Sequence, residues 1–395
     1  MSPPEAKIPV RNVYALLAYA WDFLDLAAPR DGGETAADTP QDLLARLLVD
    51  TADRLLRRGA HREYIVFEED LRDLRGRIDI PRTASRALRA AGRVACDVDE
   101  LHHDVAPNRM LKAGLRQILR CRDIDATLTS RARALCSMLS DVEDPGLTEA
   151  LLRSVRIPRA APLYRLARDV CGLLLRHSLP DESGTGLALR DFTRDDLEMA
   201  HLFEAFVRGF LQWEARGWKV NRNEVRWAET TGGAESLRLL PRMTTDVSMH
   251  APGRRVIVET KFVRRPFRVM DDEGERVKLR SEHLYQLFAY AMNTHAAHRS
   301  LRLEGRLVYA SAGRGVKAAF SWGAVPVEVH TIDLTAEWGA VREQMRGVIP
   351  GAPRPEVVLR PKKETKLSWE ETAKQMATEH EDWSDLEATV GDGLE

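Results

Sequence analysis

Apolar positions recur at helical spacing over residues 11–28, where Val13, Leu16, Leu17, Ala20 and Leu24 share one face. The polar stretch 31–41, which carries Gly and Pro, reads as a loop, and a second helix is predicted over 42–58. β-Branched and aromatic residues make EYIVFEED (63–70) a strand, with LRGRID (74–79) expected to pair with it around a turn. Helical patterns follow at 83–91, 108–121, 126–139 and 162–177, and SLPDESGTGLALR (178–190) reads as a linker. The pattern then changes. A helix over 194–215 leads to a hairpin turning at Gly232-Gly233, then to two strands about Ala251-Pro252-Gly253. A helix over 281–294 and strands at 305–311 and 325–334 complete it. Helices alternating with groups of strands predict an α/β sandwich around a mixed sheet. The expected organisation is α+β: a mixed helical and strand domain over 1–185, an α/β domain over 186–351, and a tail over 352–395.

Composition adds little until charge is located. The chain of 395 residues is 44% hydrophobic and 30% charged, with a net charge of −1, the profile of a globular protein. Residues 368–395 hold nine acids against Lys374 alone, so the remainder is mildly basic and compatible with a phosphate-bearing partner. Cys96, Cys121, Cys136 and Cys171 form no CxxC and are expected to be reduced and structural; His102-His103 is expected in an exposed turn. No stretch reaches the roughly 18 apolar residues of a membrane span, and the first residues lack the features of a signal peptide, which predicts a cytoplasmic protein. There is no GxxxxGK[ST], so no nucleotide is expected to bind this chain itself.

The candidate chemistry lies in DVSMHAPGRRVIVETK (246–261). Side chains alternate along a strand, so Ile257, Glu259 and Lys261 share one face and Val256, Val258, Thr260 and Phe262 the other. Folding the chain at Pro252-Gly253 brings Asp246 back towards Glu259. Two carboxylates held together repel, and a hard divalent cation relieves the repulsion through oxygen ligands. Asp246, Glu259 and the backbone carbonyl of Thr260 form such a set for Mg²⁺, with Mn²⁺ able to substitute, and Lys261 stands beside it. Such a metal activates water and stabilises charge on a phosphate, so the expected reaction is phosphodiester hydrolysis.

Glu204 falls within the apolar stripe Ala200, Phe203, Val207, Phe210 and Leu211 and needs a partner there. On the 281–294 helix, Leu284, Leu287, Phe288 and Ala291 form the expected buried stripe, and Tyr285 and Gln286 flank it as auxiliary candidates. Arg264, Arg265, Arg268, Lys278 and Arg280 supply cations for a DNA backbone. Each has an ordinary alternative: a turn acid, a surface ion pair, a solvated basic loop. The weight lies in their order.

That order resembles the PD-(D/E)xK nuclease superfamily. IPVRNVYALLAYAWDF (8–23), RGRIDIPRT (75–83), DELHHDVAPNRMLKAGL (99–115), HLFEAFVRGFL (201–211) and LYQLFAYAMN (284–293) are similar to the McrC family, the nuclease subunit of McrBC-type modification-dependent restriction systems. The resemblance spans about residues 8–350. It implies a restriction-endonuclease-like fold for the second half, with Asp246 and Glu259 on Mg²⁺, Lys261 completing the site, and Glu204 and Gln286 as looser matches. It implies that the N-terminal domain docks on a hexameric AAA+ GTPase ring of McrB type and stimulates its GTP hydrolysis, with double-stranded DNA carrying a modified base as substrate. Thr245 stands where the motif's name has proline, and position 259 is Glu where many relatives have Asp. Two other readings differ in what they require: a non-catalytic activator of the ring, with a structural acid–lysine trio, and a stand-alone repair nuclease.

Overall fold

The computed structural model describes residues 7–24, 37–158, 160–181, 186–228, 230–263, 267–269, 277–312 and 316–351. The first helix, α1 (Val10–Ala20), ends eight residues earlier than the spacing predicts, because Asp22 takes a left-handed conformation (φ 53°) that L-residues rarely sustain. Its carboxylate accepts from the Trp213 indole at 3.0 Å. α2 (Pro40–Arg57) starts where Thr39 caps the backbone N–H of Asp42, with Pro at the first helical position.

A three-stranded sheet follows, made of β1 (Glu63–Leu71), β2 (Arg77–Ile78) and β3 (Val94–His102), with α3 (Ile80–Ser85) between the last two. The expected pairing of 74–79 with 63–70 does not occur. β3 lies between them, forming a nine-pair antiparallel ladder with β1, while β2 adds two pairs on its other side. The longer ladder satisfies far more backbone groups. The helix expected over 83–91 is broken by Ala87 at φ 49°, leaving α3 and one 3₁₀ turn, Leu88–Ala91. The helices α4 (Ala106–Arg120), α5 (Ala126–Met138), α6 (Glu149–Ser154) and α7 (Pro162–His177) pack with α2 around a leucine-rich core. The four cysteines are free thiols, three of them buried. The ends of the expected linker pair with each other as β4 (Ser178–Pro180) and β5 (Leu187–Leu189), and Leu187 and Leu189 are buried.

The second half opens with α8 (Asp196–Glu214), capped by Asp195. β6 (Lys219–Asn221) and β7 (Glu224–Val225) follow. The predicted tight hairpin at Gly232-Gly233 is absent. Only β7 pairs with β8 (Met243–Thr244), and the intervening chain carries α9 (Ala234–Arg238), which starts after Gly233. β9 (Val247–Ala251) and β10 (Arg254–Phe262) form a hairpin across Pro252-Gly253, where Gly253 has φ 66°, the Pro-Gly arrangement of a type II turn. β11 (Phe267–Val269) pairs with β12 (Val277–Leu279). α10 (Ser281–Ala297), β13 (Arg302–Ser311), β14 (Ala318–Trp322), β15 (Val325–Asp333) and α11 (Trp338–Arg346) complete the described chain.

Six strands form one mixed sheet in the order β14-β15-β13-β10-β9-β6, with β10, β13 and β15 parallel and the others antiparallel. Val256, Val258, Val308 and Ile332 face α8, whose Phe203, Phe206, Val207 and Phe210 are fully buried. Ile257, Leu307, Tyr309 and Val327 face α10, against Leu287 and Ala291. The N-terminal α1 packs on α8, so the division expected at residue 185 separates these partners. Tyr19 meets Phe206, Phe210 and Trp338 with ring centroids 5.1–6.0 Å apart. Asn12 donates to the carbonyls of Leu334 and Ala336 at 2.7 and 2.8 Å. A Cβ on Gly209 would stand 2.0 Å from the Tyr19 carbonyl oxygen, so the two helices meet backbone to backbone. The protein is α+β, and no described helix is long and apolar enough to cross a membrane.

Candidate active site

The β9–β10 ladder ends at Val258 opposite Val247, so Asp246 and Glu259 are the next pair in register. Asp246 Oδ2 accepts from the backbone N–H of Thr260 at 2.8 Å and from its hydroxyl at 2.7 Å. This fixes one carboxylate oxygen on β10. Glu259 is 0% exposed; Oε1 accepts from Lys261 Nζ at 2.6 Å, and Oε2 has no hydrogen-bond partner. Burial, then the charge of Asp246, pushes the Glu259 carboxyl from an ordinary 4.5 up to about 7, with Lys261 opposing the rise and Glu204 adding to it. A carboxyl whose charged form is disfavoured this much, with one oxygen unmatched, is suited to a cation.

Lys261 also donates to Gln286 Oε1 at 2.8 Å, and the Gln286 amide donates from Nε2 to the Tyr290 hydroxyl at 3.1 Å. Gln286 is therefore an accepting link between the lysine and a phenol. Tyr285, the flanking tyrosine expected at the site, is 70% exposed; the residue that reaches Gln286 is Tyr290, one helical turn on and nearly buried. The i, i+4 spacing from Gln286 is the signal that identifies it. Burial raises the Tyr290 phenol, and the charges of Glu259 and Asp246 act on it in the same direction. Phe288, expected in the buried stripe, is 43% exposed and meets Trp322 edge to face.

Glu204 projects from α8 towards the same place. Its Oε1 lies 2.8 Å from Arg208 and 3.5 Å from Arg222, and Arg208 lies 3.5 Å from the Asp246 carbonyl oxygen. The sequence reading placed neither arginine at the site. His283, on α10, shares a hydrogen bond with the Tyr309 hydroxyl at 3.0 Å; burial and the charge of Lys261 lower its pKa. Of the cations expected to contact DNA, Lys278 is exposed, and Arg280 lies 3.6 Å from Glu282. Arg264, Arg265 and the side chain of Arg268 lie outside the described residues.

Among the described residues no three His, Cys, Asp or Glu side chains form a ligand cage. The oxygens of Asp246 and Glu259 make an open, hard set of the kind Mg²⁺ takes while keeping water. His102 and His103 stack on each other 5.7 Å apart at the end of β3, far along the chain from this set.

The family described as the McrBC 5-methylcytosine restriction system component matches residues 11–310. The type IV methyl-directed restriction enzyme EcoKMcrBC of Escherichia coli K12 is 26% identical over 339 residues, 86% of this chain and 96% of that protein. A chain in the half-complex from the tetradecameric assembly of Thermococcus gammatolerans McrB AAA+ hexamers with bound McrC shares the fold. Its TM-score is 0.50 at 16% identity, over 86% of this chain and 75% of that one. With the family matched from α1 into β13, across both halves and through the β9–β10 hairpin, this chain belongs to the McrBC 5-methylcytosine restriction system components.

Proposed function

We propose that this chain is the DNA endonuclease subunit of an McrBC-like, modification-dependent restriction complex in anti-phage defence, with a PD-(D/E)xK site at the end of β10. The carrying observation is Glu259: a fully buried carboxylate with an unpartnered oxygen, held next to Asp246 and bonded to Lys261. Asp246, Glu259 and the Thr260 carbonyl would hold Mg²⁺, or Mn²⁺ in its place. The ion, when bound, supplies a water of lowered pKa and charge to offset that building on the phosphate. Lys261, braced by Gln286 and Tyr290, orients a water or donates to a phosphate oxygen. Thr260 keeps the Asp246 carboxylate in place through two hydrogen bonds.

The partner in this reading is a hexameric AAA+ GTPase of McrB type, whose GTP hydrolysis the N-terminal half stimulates. Tyr64, Val66 and Leu101 stand exposed on one face of the three-stranded sheet, where Tyr64 pairs with Leu101, an apolar surface suited to docking. The substrate is double-stranded DNA carrying a modified base. Purified chain, McrB-type partner, GTP, Mg²⁺ and modified plasmid should yield breaks. Lys261→Ala should abolish them while the complex still assembles; breaks at the wild-type rate would remove Lys261 from the mechanism. A chain that stimulates GTP hydrolysis but never cuts would be the ring activator, and cutting without the partner would mark a stand-alone nuclease.

A further inference from the structure

The site holds three acids and three cations, and the cations are not equivalent. Lys261 is committed to Glu259 and Gln286 at 2.6 and 2.8 Å. Arg208, one turn from Glu204 on α8, spans Glu204 at 2.8 Å and the Asp246 carbonyl at 3.5 Å, with its side chain three-quarters covered. It braces the backbone that carries Asp246. Arg222 differs. It follows β6, the edge strand that pairs with β9, and precedes Asn223, which bonds Thr245, so its backbone runs beside the start of β9 next to Asp246. Its side chain is 52% exposed, and it approaches Glu204 only to 3.5 Å, on the oxygen that Arg208 already holds. An ion pair this exposed and this loose contributes little to stability.

A guanidinium presents several N–H donors in a planar fork that matches two phosphate oxygens, and one contact with Glu204 leaves most of that fork turned outward. The Glu204 carboxylate that Arg222 approaches is the one held by Arg208, which reaches the Asp246 carbonyl, and this places Arg222 at the rim rather than on a remote surface. We propose that Arg222 is a phosphate anchor of the active site: it takes a backbone phosphate of DNA next to the one attacked, and Glu204 holds it in position until the DNA arrives. This rests on the endonuclease reading and adds a DNA-contacting residue outside the 264–280 segment.

The test measures binding of the full-length chain to a fluorescein-labelled duplex by anisotropy, in Ca²⁺ and over a range of salt, beside cutting assays with the partner. Losing one phosphate contact should weaken Arg222→Ala about tenfold near 0.1 M salt and flatten the slope of log K against log salt by about one. Arg222→Lys, which keeps the charge, should retain the slope and lose only part of the affinity. A purely structural role would move the melting temperature and leave the slope alone. Unchanged affinity and slope in Arg222→Ala, with the wild type binding and cutting, would overturn the anchor and leave the endonuclease reading standing. A wild type that neither binds nor cuts with its partner would overturn both.

Discussion

Two buried glutamates sit on adjacent parallel strands of one sheet, and the fold treats them in opposite ways. Glu304, on β13, is 5% exposed and fully matched: Oε1 lies 2.9 Å from Arg254 and 3.3 Å from Arg302, and Oε2 lies 3.0 Å from Arg306. Arg306 in turn lies 3.1 Å from Glu328, which also bonds His330 at 3.0 Å. Glu259, on β10, is buried as deeply, yet has one ammonium, a nearby like charge and an oxygen with nothing to bond. A buried acid surrounded by guanidinium groups is part of the scaffold. A buried acid left short of positive charge is held at a cost that only a ligand repays, and such a site is where function is sought.

Removing each acid should have opposite consequences. Glu304→Gln strips the compensation from three arginines and should destabilise the fold by about 3–5 kcal/mol, the usual cost of breaking a buried pair. Urea denaturation would measure this, and cutting per folded molecule should survive. Glu259→Gln should lose cutting and gain stability in metal-free protein. The native carboxyl keeps its proton up to about pH 7, whereas the unfolded one loses it near 4.5. Wild-type stability therefore falls as pH rises through that window, and the Gln variant escapes the loss. The gain should approach about 3 kcal/mol at pH 8 and shrink steadily as pH falls from 7 to 4.5. A variant less stable than wild type at pH 8 in EDTA would show Glu259 to be a scaffold acid like Glu304.

The smallest expected effect is at Tyr290. Tyr290→Phe removes the acceptor of the Gln286 amide and should lower kcat about tenfold, the scale of one hydrogen bond, with KM unchanged. Single-turnover cutting by the assembled complex would measure it. An equal loss in Tyr285→Phe would contradict the distinction between the two tyrosines.

The β9–β10 hairpin that carries the candidate site was the most legible part of the chain. Alternation put Glu259 and Lys261 on one face, Pro252-Gly253 fixed the bend, and β-ladder register then forced Asp246 opposite Glu259. The auxiliary residues were legible only in part. A helix turns 100° per residue, so a neighbour of Gln286 such as Tyr285 points elsewhere, while Tyr290 four residues on returns to the same face. Arg208 has the same i, i+4 relation to Glu204, whereas Arg222 comes from the segment after β6, which the periodicity of α8 cannot connect to Glu204. β3 escaped notice because charged residues interrupt VACDVDELH, and its assignment depends on a partner strand more than twenty residues away. The short α9 was hidden by two glycines that resemble a turn and instead precede a helix.

The contact of α1 with α8 bears on how the chain is made. The first helix leaves the ribosome with Tyr19 and Asn12 ready, but the groove beside Gly209 and the carbonyls of Leu334 and Ala336 emerge much later. The core around Phe206 and Phe210 therefore closes only when translation has delivered nearly all of the described chain. Under the proposed reading, the candidate site on β10 gains its full support from α8 only once α1 and the chain around Trp338 are both in place.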